Sequence, residues 1–253
     1  MDIIEAVADE IRKSGYAVAF TGAGISAESG IPTYRGEGGL WTKYDPNRYA
    51  DIQNFLEDPS YYWSFFRDVR YPMLKEVAPN NAHTALAEIE AEGRLHSVIT
   101  QNIDGLHQDA GSSTVIELHG TTRTIYCLEC GAKYTMEDVA DRLTVQLPPL
   151  CTECRGLLRP DVVFFGESLD PGTLDLAYRE AGKCDLLMVV GSSLVVYPAA
   201  DIPMRAKRKD AVLVIINRDS TPMDETADYV INERAGDVLP KIVQSLKDRQ
   251  EKE

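Results

Sequence analysis

Little in this sequence points to a membrane or to nucleic acid. No apolar run approaches the ~20 residues that a bilayer-spanning helix needs. The opening residues, Met1-Asp2-Ile3-Ile4-Glu5, have neither the basic start nor the apolar stretch of a secretory signal, which predicts a cytoplasmic protein. Cations are in deficit: 26 Lys and Arg against 40 Asp and Glu give a formal net charge of −14. Gripping a phosphate backbone needs clustered cations, so direct nucleic-acid binding is not expected. An acidic surface is well solvated and also attracts basic protein tails. Cysteine is sparse, five residues in 253, yet four of the five fall between positions 127 and 154 while Cys184 stands apart. In a reducing compartment such clustering points to a metal before a disulfide framework. No internal repeat or low-complexity tract is evident.

What is present reads as strands alternating with helices. Ile4, Val7 and Ile11 recur at helical spacing, with Gly15 as the expected stop. Short apolar runs at 16–20, 97–100, 115–118, 162–165, 185–190, 212–216 and 228–231 predict strands, and 81–92, 171–182 and 199–208 predict helices. Asp237 is the expected cap of a last helix, with Pro240 in its first turn, where a missing N–H costs little. Alternation of this kind indicates a mainly parallel sheet covered on both faces, with ligands at the carboxyl ends of its strands. Segment 36–76, glycine-rich at first and then aromatic, reads as a loop and short helices inserted into the main fold.

Two motifs carry chemistry. Gly22-Ala-Gly24-Ile-Ser-Ala27 follows a strand and fits the G-x-G-x-x-[GA] phosphate turn: a first glycine for the bend, a second for close backbone approach, a small third residue for helix packing. By itself it equally describes a tight strand-to-helix turn. An acidic residue about 20 positions on, usual in hydride-transferring domains, is replaced here by Gly38-Gly-Leu-Trp-Thr-Lys-Tyr44, which is no strand. Simple hydride transfer is therefore not expected. Cys127-x2-Cys130 and Cys151-x2-Cys154 can offer four thiolates to one tetrahedral zinc. With no position left for water, that zinc is expected to be structural.

Taken in order, Gly22 to Arg35 (GAGISAESGIPTYR), Thr100 to His107 (TQNIDGLH), His119-Gly120, the cysteine quartet, Phe165-Gly-Glu167, Gly191-Ser-Ser193 and Asn217 resemble the sirtuins, with nearly the whole chain matching a compact archaeal or bacterial member. The resemblance implies an α/β fold, a Rossmann-like parallel-sheet domain (1–35, 77–122 and 159–253) with a smaller domain formed by a helical and cofactor-loop insertion (36–76) and a zinc module (123–158). It also implies an NAD-dependent protein lysine deacylase that acts on an acyl-lysine protein or peptide, as a monomer and away from membranes. In that chemistry the acyl-lysine carbonyl oxygen attacks the nicotinamide-bearing ribose carbon, nicotinamide leaves, and an alkylimidate forms. A histidine base then acts on the ribose hydroxyls, and lysine and O-acyl-ADP-ribose are released.

Carried onto this chain, the resemblance makes His119 the base, a role suited to an imidazole. Asn102 and Asp104 would orient the ribose and the carboxamide, with Gln101 and Ile103 beside them. Gly22, Ala23, Gly24, Glu28, Tyr34, Arg35 and Trp41 would line the cofactor. Gly191, Ser192, Ser193, Asn217, Arg218 and Ala235 would meet phosphates and adenosine. Val162, Phe165, Gly166, Glu167, Val195 and Val196 would flank a peptide added as a strand. His83 and His96 read as packing or surface residues.

Two departures stand out. Tyr34 occupies a position where the family usually has Phe, which bears on the balance between deacylation, hydrolysis and nicotinamide exchange. Phe66 and Val69 stand where desuccinylating relatives carry Tyr and Arg, so acetyl or longer neutral acyl groups are expected; Arg67 and Arg70 are close by. A mono-ADP-ribosyltransferase, an NAD glycohydrolase and a non-catalytic NAD-binding module remain as alternatives.

Overall fold

The computed structural model describes residues 2–34 and 38–250, with side chains to Asp248. Among the described residues nine strands form two sheets: β1 (Ala17–Thr21), β2 (Ser97–Thr100), β3 (Val115–Glu117), β4 (Gly120–Cys127), β5 (Lys133–Thr135), β6 (Leu158–Val162), β7 (Leu186–Val190), β8 (Val212–Ile216) and β9 (Tyr229–Ile231). Six of them lie parallel in the order β3-β2-β1-β7-β8-β9, and β5-β4-β6 make a small antiparallel sheet.

The central strands are continuous apolar runs because both faces are covered. Their side chains alternate between two cores. Ala17, Ala19, Leu186, Met188, Val190, Val214 and Ile216 pack against helices Ile3–Lys13, Asn81–Ala91 and Ala235–Gln250. Val18, Phe20, Leu187, Val189, Leu213 and Ile215 face the other way, toward helices Pro171–Lys183 and Ile202–Lys207. The order turns back at β1 and β7: β1 leads outward to β2, β7 outward to β8. Loops leaving the carboxyl ends of these two neighbours open a crevice, the usual ligand position in such sheets.

A third core joins the two insertions. Phe55, Trp63 and Phe66 from the helical segment pack with Ile125, Val139, Leu143 and Leu158 around the small sheet. The helical segment is held in short pieces by aspartates whose carboxylates accept the free N–H groups of each first turn: Asp45 before Pro46–Ala50, Asp51 before Ile52–Glu57, and Asp58 before Pro59–Phe65. The Trp63 indole N–H donates to the Leu158 carbonyl at 3.2 Å, tying the segment to β6.

Three expectations need correction. The strand expected at 162–165 ends at Val162 and pairs antiparallel with β4 instead of entering the large sheet. Residues beyond it make scattered backbone bonds, from Val163 N–H to the His119 carbonyl (2.9 Å) and from Phe165 N–H to the Ala50 carbonyl (2.8 Å), so their apolar character serves a cleft wall. Helix Ala235–Gln250 begins two residues before Asp237, which lies in the first turn and is not its cap. Pro240 consequently sits inside the helix. The capping is supplied from far away, the Glu28 carboxylate accepting the Gly236 N–H at 3.0 Å.

Trp63 is fully buried at the junction of the insertions. Trp63→Ala should cost about 3–5 kcal/mol. Urea unfolding would register a lower midpoint at unchanged slope; an unmoved midpoint would show that the junction contributes no stability.

Candidate active site

A cavity of about 1130 Å³ runs between the large sheet's crevice and the small domain. One end is built by the loops after β1 and β7. Gly24 N–H donates to the Gly191 carbonyl at 2.8 Å, and Gly22 N–H to the Val190 carbonyl at 3.1 Å. There is no room here for side chains: a Cβ on Gly24 would lie 2.7 Å from the Gly191 oxygen, and one on Gly191, at φ +62°, would lie 2.2 Å from the Ile25 nitrogen. The bare backbone beside helix N-termini suits a pyrophosphate. Ser192 and Ser193 lie alongside, and Asn217, Arg218 and Ala235 continue the wall. The residues present thus fit a dinucleotide.

His119 lines the cavity, half-buried. Its Nδ1 lies 2.8 Å from the Gln101 carbonyl, which can only accept, so Nδ1 carries the proton and Nε2 keeps its lone pair. Burial lowers its pKa below the ordinary 6.5, opposed by the bond to Gln101, so the ring is neutral at pH 7 and ready to accept a proton. Gln101 is fixed in turn, its amide donating to Ser192 Oγ at 2.8 Å. Asn102, buried, donates to the Gly22 carbonyl (3.2 Å) and to Ser26 Oγ (3.1 Å).

At the other end Phe165 and Tyr197 are exposed apolar walls, with Val162, Gly166 and Val196 between. The Glu167 carboxylate is taken up by Arg159, with a 2.9 Å bond from Nη1, and by the Phe164 N–H at 2.8 Å, so it holds this wall in shape. Val195 is half exposed and lies outside the cavity lining. Trp41 packs between Tyr34 (5.3 Å between ring centroids) and Phe165 (6.1 Å), and its indole N–H is buried without a hydrogen-bond partner among the described residues.

Cys127, Cys130, Cys151 and Cys154 converge, all four sulfurs lying within 4.8 Å of one another. The pairs Cys127–Cys154 and Cys130–Cys151 are 3.5 and 3.6 Å apart. A disulfide would need about 2.05 Å. A tetrahedral ion with ~2.3 Å zinc–sulfur bonds places its sulfurs about 3.8 Å apart. The cluster therefore fits structural zinc.

The model of the Sir2 family matches residues 22–198. This chain belongs to the Sir2 family. It is 48% identical over 247 residues to "NAD-dependent protein deacylase 2" of Archaeoglobus fulgidus, covering 97% of each chain. A solved Sir2 in complex with p53 peptide and NAD+ aligns with a TM-score of 0.89 at 42% identity, over 96% of this chain and 98% of that one. Another, with deacetylated p53 peptide and 3′-O-acetyl ADP-ribose, gives 0.91 at 42% identity, over 95% and 97%.

Most residues singled out in the sequence of this Sir2 chain line the one cavity. Asp104 faces a small side cavity of about 30 Å³, shared with Ala23, Ile31, Tyr34, Asn102 and Ile103. Arg35 lies outside the described residues. Sequence reading missed Tyr62 and Arg70, which reach the cavity from the helical insertion; aromatics and arginines in a helical stretch carry no signal of facing inward.

It also missed a polar cluster behind the wall. Asn80 N–H donates to His83 Nδ1 (3.3 Å), His83 Nε2 faces Ser26 Oγ (3.4 Å), and the Ser26 hydroxyl donates to Asp104 (2.8 Å). His107 Nε2 donates to Thr21 Oγ1 (2.9 Å), whose hydroxyl donates to Thr100 (2.8 Å). Burial pushes His107 down to about 3, with His83 adding repulsion, and His83 down to about 4 against the pull of Asp104. Both rings are neutral in the fold.

An unfolded histidine titrates near 6.5. Between there and pH 4 the unfolded chain holds protons that these two rings refuse, so stability present at neutral pH is lost as pH falls. The slope should reach about 1.4 kcal/mol per pH unit per histidine. Urea melts from pH 7 to 4.5 would show it, and His107→Gln should flatten the slope; an equal slope in that variant would contradict the assignment.

Proposed function

We propose that this protein is an NAD-dependent protein lysine deacylase, taking acetyl or longer neutral acyl groups and releasing nicotinamide, O-acyl-ADP-ribose and free lysine. The carrying observation is His119, on the wall of one cavity with the glycine loop and the apolar wall, its Nδ1 committed to the Gln101 carbonyl and its Nε2 without a hydrogen bond among the described residues. Similarity to the Archaeoglobus enzyme and to Sir2 structures holding peptide with NAD+ or acetyl-ADP-ribose supports the reading.

Bound NAD supplies an electrophilic ribose carbon and a leaving group. Gly22, Gly24 and Gly191 to Ser193 receive the pyrophosphate, and Asn217, Arg218 and Ala235 the adenosine. Glu28 is a wall residue whose carboxylate already caps the last helix. Asn102, Ile103 and Asp104 hold the nicotinamide ribose and carboxamide, an arrangement in which amide and carboxylate match a carboxamide's donors and acceptor. Arg35 would meet phosphate. Val162, Phe165, Gly166 and Val196 accept the peptide as an added strand, Val195 shaping the rim and Trp41 the floor. His119 then takes the proton from a ribose hydroxyl, its tautomer fixed by Gln101.

Zinc on the four cysteines would serve the third core, and we read 1–35, 77–122 and 159–253 as the large-sheet domain and 36–76 with 123–158 as the small one. Among the described residues no helix is long and apolar enough to cross a membrane. The charge of −14 disfavours nucleic acid, and four thiols held for a metal suit a reducing, cytoplasmic compartment.

Incubation with an acetyl-lysine peptide and NAD should release nicotinamide and free lysine in equal amounts. His119→Ala should lower that turnover about 10²–10⁴-fold, the usual worth of a general base. The acid limb of kcat/KM should lie below pH 6.5, as the lowered His119 pKa requires. Nicotinamide release indifferent to peptide would replace this reading with a glycohydrolase or a transferase, and NAD binding without turnover would leave a binding module.

Elemental analysis should find one zinc per chain. Cys154→Ser should lose it and unfold the small domain before the large one; full zinc content in that variant would overturn the ligand assignment.

A further inference from the structure

The cysteine quartet has support from outside its own motif. Zinc on four thiolates sets two positive charges against four negative ones. Two of the sulfurs belong to buried residues, Cys127 (1% exposed) and Cys151 (0%). Negative charge withdrawn from water is costly unless hydrogen-bond donors replace the water. Backbone groups do this for two members: Glu129 N–H donates to Cys127 Sγ and Gly156 N–H to Cys154 Sγ, each at 3.4 Å. Among the described residues a single side chain outside the quartet reaches a sulfur. It is Tyr134, whose hydroxyl oxygen lies 3.1 Å from Cys151 Sγ.

The direction of that bond follows from the chemistry of the partners. A metal-bound thiolate only accepts, so the phenol donates to Cys151. Its oxygen can still accept, and the Thr152 N–H (3.1 Å) and hydroxyl (3.0 Å) are both placed on it. The phenol is thus held by the residue that follows the ligand it serves. Tyr134 itself stands on β5, opposite the fully buried Ile125 of β4. Thr135 then caps helix Met136–Leu143, whose Val139 and Leu143 enter the third core. Two turns on, Arg142 comes back over the Tyr134 ring, its guanidinium carbon 5.0 Å from the centroid. Arg142 Nη1 is buried without a hydrogen-bond partner among the described residues. A cation over an aromatic face draws electron density from the ring, which makes the phenol a stronger donor.

We propose that Tyr134 is a positioning residue of the metal centre, strengthened by Arg142, and that its hydrogen bond to Cys151 sets how long zinc is retained. The proposal rests on the zinc reading of the four cysteines. Competing ligands approach the ion from the side of Cys130 and Cys154, which are exposed. The buried pair is therefore the last hold. When a zinc–sulfur bond opens, a sulfur kept in place by Tyr134 re-forms it before another ligand takes the open position. Tyr134 is not itself a ligand; it acts through Cys151.

The test compares zinc-loaded wild type, Tyr134→Phe, Arg142→Met and the double variant. Each is mixed with excess pyridylazoresorcinol, and zinc transfer is followed by absorbance. Each is also loaded with cobalt(II) to record its sulfur-to-metal charge-transfer band. Tyr134→Phe, which keeps the ring, should release zinc about 10–100-fold faster, the usual worth of a partner that orients a metal ligand. Its cobalt band should move to longer wavelength, because a sulfur without a donor gives up charge more easily. Arg142→Met should speed release about two- to fivefold, the range of a cation–π contact, with a smaller band shift in the same direction. In the Tyr134→Phe background it should add nothing, since no hydroxyl remains to strengthen. Release from Tyr134→Phe within about twofold of wild type, faster release with an unmoved cobalt band, or single effects that multiply would each overturn the proposal. Should Tyr134→Phe fail to fold, the release rate and band of Arg142→Met decide it. A wild type that binds no zinc would instead sink the zinc reading.

Discussion

The contact on which this architecture turns is backbone against backbone: the loop after β1 pressed onto the loop after β7. Gly24 N–H meets the Gly191 carbonyl at 2.8 Å, and Gly191 N–H meets the Ile216 carbonyl of β8 at 2.9 Å. Three strand ends are thereby drawn together at the point where the sheet order reverses. A single Cβ would force them apart, as the 2.2 Å separation at Gly191 shows. The crevice therefore exists because three positions carry no side chain, and its floor is rigid because the strands below belong to two full cores. The N–H groups of Gly22, Gly24 and Gly191 are spent inside the protein, so what these glycines offer a phosphate is close approach to a fixed, bare backbone.

A second layer of constraint lies behind that floor. Thr21, Thr100 and His107 make one hydrogen-bonded group; Ser26, Asn102, Asp104 and His83 make another. Buried polar atoms are tolerated when satisfied by partners; here the bonds join β1 and the turn after it to β2, the turn after it and helix Asn81–Ala91, and His107 Nδ1 alone in the two groups is buried without a partner among the described residues. Asn102 is the link: it faces the cavity while its amide donates to the Gly22 carbonyl and to Ser26. Position in the cavity is thus set by side chains that never reach it. The histidines serve as neutral donors and acceptors, and of the three buried or half-buried rings His119 alone lines the large cavity.

This division explains what could be read from the sequence. Glycine turns, C-x2-C pairs and apolar runs act locally, so β1, β7, the tight turn after β1 and the convergence of the four cysteines were legible. Asp45-Pro46 and Asp58-Pro59 are equally local signals of helix starts, and both residues of each pair do what their chemistry suggests. What could not be read depends on distant partners. Glu28 caps a helix that begins more than two hundred residues later, with Gly236 as its contact, and so displaced Asp237 from the capping role. Val163 to Phe165 look like a strand because they are apolar, yet their neighbours are Ala50, Ile52 and His119. His83, set aside as packing or surface, is fully buried and bonded toward Ser26.

The helical insertion shows the same limit most sharply. Its aromatics fill the third core, where Trp63 and Phe66 are fully buried and Phe55 nearly so, and that much follows from composition. Its arginines do not separate by composition at all. Arg67 is exposed and paired with its neighbour Asp68, whereas Arg70, three positions on, is buried in the cavity wall. On a regular α-helix two residues three apart share a face. A π-helical turn, Phe66–Arg70, adds a residue to the local repeat, and this rotation separates the two side chains. A periodicity read at 3.6 residues per turn cannot anticipate that shift. The small domain thus delivers a cation to the cavity wall through a local irregularity, where Arg70 and Tyr34 both line the large and the side cavity.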